Sequence, residues 1–144
     1  MATRTKTNTH SIVVSDLDRQ RLELMLEDLR KNGGESWENI EALDRELKKA
    51  VTVPPHEVPA DTVTMNSTVR LKISGLGAAM TYTVVYPGSA DLDENRISIL
   101  APLATAVLGY RVGDRIDWNL PSGRKEIVID KLLYQPEAAG DYRL

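Results

Sequence analysis

Three prolines within seven residues, in Val53-Pro54-Pro55-His56-Glu57-Val58-Pro59, constrain this chain more than any other feature. Each Pro lacks the backbone N–H that a helix or an inner strand needs, and it pushes the residue before it towards extended backbone. No helix can cross the segment. The hydrophobic period also changes there, from about 3.6 residues before it to about 2 after it, so the two sides must fold as different kinds of structure. The pattern predicts an α+β chain with a flexible tail over 1–11, a helical hairpin over 12–52, a linker over 53–61 and a sheet domain over 62–144.

On the N-terminal side, Met1 to Ser11 is polar, Thr-rich and aperiodic, and Ile12, Val13 and Val14 begin the ordered chain. Ser15 followed by Asp18 reads as an N-cap with an acid at the positive end of a helix. Leu22, Met25, Leu26 and Leu29 then recur at helical spacing and form an apolar stripe that needs a partner. Asn32-Gly33-Gly34 closes this helix, because Gly adopts the left-handed conformation at little steric cost. Ser36 caps a second helix whose stripe is Trp37, Ile40, Leu43, Leu47 and Ala50. So short a turn makes the two helices antiparallel, as in a short coiled coil. Glu27 with Lys31, Glu41 with Arg45, and Asp44 with Lys48 have the acid-before-base spacing of four, which supports an exposed face by about 0.2–0.5 kcal/mol per pair.

Beyond the prolines, Val69, Leu71 and Ile73 alternate with Arg70 and Lys72, and Ser74-Gly75-Leu76-Gly77 turns the chain towards Met80 to Tyr86. Arg96 to Leu100 reads as a short strand, and Pro102 starts a helix through Leu103, Ala106, Val107 and Leu108 to Gly109. Ile116, Trp118 and Leu120 alternate with polar residues, and Pro121-Ser122-Gly123-Arg124 leads into a last strand over Glu126 to Tyr134. An antiparallel sheet holding one short helix is the expected outcome. Gly75-Leu76-Gly77-Ala78-Ala79-Met80 looks superficially like a dinucleotide fingerprint, but it lacks the final Gly and runs into a strand rather than a helix.

Composition excludes several functions. Lys and Arg number 18 against 21 Asp and Glu, a net charge of −3, which disfavours an extended phosphate-binding surface, so no direct nucleic-acid ligand is expected. The absence of Cys removes disulfides, thiol catalysis and thiolate metal sites. His10 and His56, the two histidines, fall in the tail and the linker, where no rigid scaffold would hold a metal or a catalytic triad. No cofactor or metal is expected. No apolar run suits a signal peptide or a membrane span, and a cytoplasmic location is the expectation.

The order of elements, with Ile97-Ser98-Ile99-Leu100-Ala101-Pro102 before a helix and Val112-Gly113-Asp114 after it, resembles the Gre transcript-cleavage factors. Val63-Thr64-Met65-Asn66-Ser67, Val85-Tyr86-Pro87, Leu108-Gly109-Tyr110-Arg111-Val112-Gly113-Asp114 and Tyr134-Gln135-Pro136-Glu137-Ala138-Ala139-Gly140-Asp141-Tyr142 resemble more closely the Rnk family, named for regulation of nucleoside diphosphate kinase. The resemblance runs from about Ile12 to Leu144. It implies an FKBP-like sheet domain and a non-enzymatic regulator that binds bacterial RNA polymerase near its secondary channel, competes with Gre-type factors and does not cleave the transcript. It leaves open whether nucleoside diphosphate kinase is affected directly or through transcription.

Gre factors bring acidic residues at the hairpin tip to the polymerase's catalytic metal, where hard oxygen ligands help to hold a second Mg ion. The candidates in this chain are Glu35 and Glu38, whose alternative role is to complement the start of the second helix. A first helix from Asp16 to Lys31 is only about 24 Å long, about half the Gre hairpin, so these carboxylates should stop short of the catalytic centre. On the sheet domain, the stretch that meets the channel rim in Gre factors corresponds to Ser98, Leu100 and Pro102. Gre factors tend to have an acid at the position of Leu100. Leu100 is therefore either an exposed apolar anchor or a core residue, and Pro102 either a contact or simply a helix starter. Two rival functions remain: a prolyl isomerase, suggested only by the fold, and an adaptor that presents its hairpin to another protein. The isomerase would have to line its pocket with Trp118, Tyr82, Tyr86 and Tyr110, for the chain has no Phe.

Overall fold

Both helices begin and end where their capping residues dictate. In a computed structural model of the chain, which describes residues 12–141, helix α1 spans Asp16–Asn32 and α2 spans Trp37–Lys49. The expected tail over 1–11, with His10, and the chain end with Tyr142 and Leu144 lie outside the described residues. The Ser15 hydroxyl accepts from the Asp18 amide at 3.0 Å, and the Ser36 hydroxyl accepts from Asn39 at 3.3 Å, so each supplies one of the partners that a helix start lacks. Gly33, at φ 78°, donates to the Leu29 carbonyl and closes α1. Leu22 and Leu26 of α1 meet Ile40, Leu43 and Leu47 of α2 in the core.

Two expectations for the hairpin change. Trp37, expected on the apolar stripe, is 60% exposed, because it occupies the first position of α2 beside the turn, where α1 has already ended. Glu41 accepts from Arg30 across the hairpin at 3.0 Å rather than simply bracing Arg45 along its own helix. Arg30 also reaches Asp44 at 3.4 Å, so one guanidinium serves two carboxylates.

At the hairpin's root, β1 (Val13–Ser15) pairs in parallel with β2 (Val51–Val53), a two-stranded sheet that the sequence pattern did not announce. Val53, expected as the first linker residue, is thus the last residue of a strand. Arg19 closes this root. Its guanidinium donates to the carbonyls of Leu47 and Ala50 at 2.5 and 3.1 Å and to the Thr52 hydroxyl at 2.6 Å, satisfying the carbonyl end of α2.

The second part is a five-stranded sheet in the order β5-β4-β3-β7-β6. Its strands are β3 (Thr68–Ile73), β4 (Met80–Val85), β5 (Arg96–Ser98), β6 (Arg115–Leu120) and β7 (Gly123–Tyr134). The β3–β4 and β6–β7 hairpins are antiparallel as expected, and β4, a strand rather than a helix, follows the Gly75–Gly77 turn. The sheet is not wholly antiparallel, however, since β5 runs parallel to β4. Two 3₁₀ turns, Pro87–Ser89 and Leu92–Glu94, carry the chain back along β4 before left-handed Asn95 at φ 55° redirects it. Helix α3 (Pro102–Val107) packs on the sheet, and a second short helix, α4 (Pro136–Ala139), joins the one expected.

Val69, Leu71, Val84, Ile116, Ile127 and Ile129 form the inner face of the sheet, and the same apolar cluster continues through α3 into Leu22, Leu26 and Leu43 of the hairpin. Gly109 is a point of close approach between the two parts. At φ 84°, its missing Cβ would lie 2.8 Å from the Ile12 Cβ, and its carbonyl accepts from Val13 at 3.2 Å.

Candidate functional site

The hairpin tip is built by Gly33-Gly34 and the Ser36 cap, which leave Glu35 and Glu38 at the start of α2. The Glu35 carboxylate accepts from the Asn39 side chain at 2.7 Å, so it is engaged in the first turn. Glu38 is exposed. Beside them the Arg30 guanidinium carbon lies 5.7 Å from the centroid of the Trp37 ring.

The three candidate residues on the sheet domain have different fates. Ser98 is half-buried, and its hydroxyl accepts from the Leu100 amide at 3.1 Å, shaping the bend after β5. Leu100 is 2% exposed and belongs to the core, so it is not an exposed anchor. Pro102 opens α3 and stays half-buried, with part of its ring facing outward.

A groove of about 430 Å³ lies between α2 and the sheet domain. Glu38, Arg45 and Lys49 of α2 form one wall, and Pro102, Trp118 and Arg124 belong to the sheet-domain wall. Glu38 and Pro102, taken from sequence as separate candidates, therefore face one concavity. The hairpin consequently runs beside the sheet domain rather than standing clear of it. No other aromatic residue among the described residues lines the groove with Trp118, and Tyr110 is fully buried, so this groove is not the aromatic pocket an isomerase would need.

Sequence reasoning missed a polar cluster that anchors the root of α1. Asp18, read as a simple first-turn acid, is 5% exposed, and its carboxylate accepts from the Met65 amide at 3.2 Å. Burial, reinforced by the nearby Glu137 carboxylate, pushes the Asp18 carboxyl up to about 7, against the opposing pull of the Met65 amide and Arg21. Burial and the Asp18 charge likewise raise the pKa of the buried Tyr86 hydroxyl, with Arg21 acting in the opposite direction. Glu137 accepts from the Thr64 hydroxyl at 2.8 Å, and Gln135 donates to the Pro59 and Thr62 carbonyls at 2.8 and 2.7 Å. The strings around Met65, Tyr86 and Gln135-Pro136-Glu137 thus converge on one helix start. The shared family resemblance of these separate strings was the available signal, although it did not identify Asp18 as their meeting point. Among the described residues, no group of three His, Cys, Asp or Glu side chains is arranged to hold a metal ion, and no helix is long and apolar enough to cross a membrane.

Comparison with known proteins matches both parts. Residues 58–134 fit the family model for the C-terminal part of the transcription elongation factors GreA/GreB, and residues 10–53 fit that for the Rnk N-terminus. A regulator of nucleoside diphosphate kinase from Escherichia coli (strain K12) is 40% identical over 135 residues, covering 93% of this chain and 97% of that protein. Transcription elongation factor GreA of Nautilia profundicola is 34% identical over 139 residues, covering 90% of this chain and 84% of that one. The solved structure of a prokaryotic transcription elongation factor GreA/GreB from Nitrosomonas europaea superposes with a TM-score of 0.69 at 40% identity, covering 85% of this chain and 99% of that chain.

Proposed function

Because the chain belongs to the GreA/GreB family of transcription factors, in its Rnk branch, we propose that it is a non-enzymatic regulator that binds bacterial RNA polymerase at the entrance of the secondary channel. The sheet domain over 62–144, taken as an FKBP-like module used for binding, meets the channel rim through the Ser98–Pro102 segment. The hairpin over 12–52 occupies the channel mouth, and the linker over 53–61 joins the two. Any effect on nucleoside diphosphate kinase then follows from altered transcription, in a cytoplasmic protein.

The observation that carries this reading is the hairpin's reach. Helix α1 has 17 residues, about 26 Å at 1.5 Å per residue, and α2 runs along a groove shared with the sheet domain. A finger this short that also lies beside its own base leaves Glu35 and Glu38 at the mouth, too far from a catalytic metal to share in its coordination. The protein then occludes the channel without supplying the chemistry.

Competition binding tests it. Saturating protein should displace a labelled Gre factor from core RNA polymerase, and backtracked transcription complexes should show no added RNA cleavage at any Mg concentration. Absence of displacement would remove the channel-mouth reading. Metal-dependent cleavage that disappears in the Glu35→Ala, Glu38→Ala variant would make the protein an active cleavage factor instead.

A further inference from the structure

Trp37 is the residue of the second helix's apolar stripe that the fold leaves in solvent. Its side chain stays 60% exposed at the tip while every other large apolar residue of its stripe is buried. An isolated exposed Leu on a helix is ordinary; an exposed indole held in one place is not. The Arg30 guanidinium covers one face of the ring at 5.7 Å. Arg30 is itself fixed by Glu41 at 3.0 Å and Asp44 at 3.4 Å. Two carboxylates thus hold the cation, the cation steadies the indole, and the chain of contacts restricts the ring before any partner arrives.

The surroundings select the partner's chemistry. Asp28, Glu35 and Glu38 flank the turn along the chain, while Arg30 and Lys31 are each paired with carboxylates of the hairpin, so the tip is acidic on balance. Two such tips facing each other would repel, which argues against a second copy of this chain as the occupant. We propose that Trp37 is the anchor of the hairpin tip, entering an apolar notch bordered by basic residues on RNA polymerase, with the tip carboxylates supplying attraction at its rim. This rests on the docking reading above and adds to it the residue that carries the affinity. Trp and Arg are enriched among the few residues that carry most of the binding energy at interfaces, whereas rim charges contribute mainly to encounter.

The test uses the full chain and core RNA polymerase in equilibrium binding, with thermal unfolding of each variant alongside. Trp37→Ala should weaken binding about tenfold or more while leaving the melting temperature within a few degrees of wild type. Arg30→Gln should weaken it several-fold, because the ring loses its support, and Glu35→Ala with Glu38→Ala should cost less than Trp37→Ala. Wild-type binding that Trp37→Ala changes by less than twofold overturns the anchor while the docking reading stands. No wild-type binding overturns both. Sedimentation that shows a wild-type dimer made monomeric by Trp37→Ala assigns the ring to a second copy and also overturns the proposal.

Discussion

Replacing Asp18 by Asn removes one ionisable proton from a buried cluster and keeps the shape of the side chain, so it isolates what the charge costs. In the unfolded chain the Asp18 carboxyl ionises near 3.8; in the fold it does so at about 7, because burial and Glu137 disfavour the anion. Below about pH 4 both states hold the proton and the charge costs nothing. Between about pH 4 and 7 the unfolded state releases the proton while the folded state keeps it, so stability falls as pH rises, and the full deficit remains above pH 7. A shift of about three units corresponds to an upper figure on the order of 4 kcal/mol. Asn retains an oxygen for the Met65 amide but loses the carboxylate's attraction to that donor and to Arg21. The net gain for Asp18→Asn should therefore be about 1–3 kcal/mol at pH 8 and close to zero near pH 4. Urea unfolding of both proteins at half-unit steps from pH 4 to 8.5 measures the difference directly. A wild-type stability that is flat from pH 5 to 8, or an Asp18→Asn loss that is the same at every pH, would refute the reasoning.

Three further outcomes follow from the packing. Gly109→Ala should destabilise by roughly 3 kcal/mol or more, since its Cβ would meet Ile12 at 2.8 Å from a backbone at φ 84°; chemical denaturation measures it. Arg19→Met should cost about 1–3 kcal/mol and speed amide exchange in the last turn of α2, because the Leu47 and Ala50 carbonyls lose their shared donor. Leu100→Asp should abolish cooperative unfolding, as a charge buried at 2% exposure has no partner, whereas Pro102→Ala should unfold cooperatively within about 1 kcal/mol of wild type.

The resemblance to Rnk and Gre factors was carried by loop strings, and it holds because those loops do structural work at a distance from one another. The Met65 amide meets a carboxylate 47 residues earlier in the chain, and Glu137 reaches Thr64 from the other end of the sheet domain. Nothing local at Asp18 distinguishes it from an ordinary first-turn acid such as Asp16, which is exposed. The candidate site divides in the same way. Glu35 and Glu38 could be placed at the tip by their neighbours Gly34 and Ser36, but that Leu100 faces inward and that Glu38 shares a groove with Pro102 depended on how the hairpin lies against the sheet.

By itself the sequence determined the features whose interactions span a few residues: the Ser15 and Ser36 caps, the Gly33 stop, the break at Pro54 and Pro55, the alternation in β3 and the helix start at Pro102. Only the tertiary structure decided the direction of β5, Arg30's choice of Glu41 and Asp44, the exposure of Trp37 and the burial of Asp18. The physical reason is range. Propensity and capping act through bonds and neighbouring turns, whereas burial, desolvation and pairing depend on which distant surface arrives, and here that surface is the sheet domain closing over the root of a short hairpin.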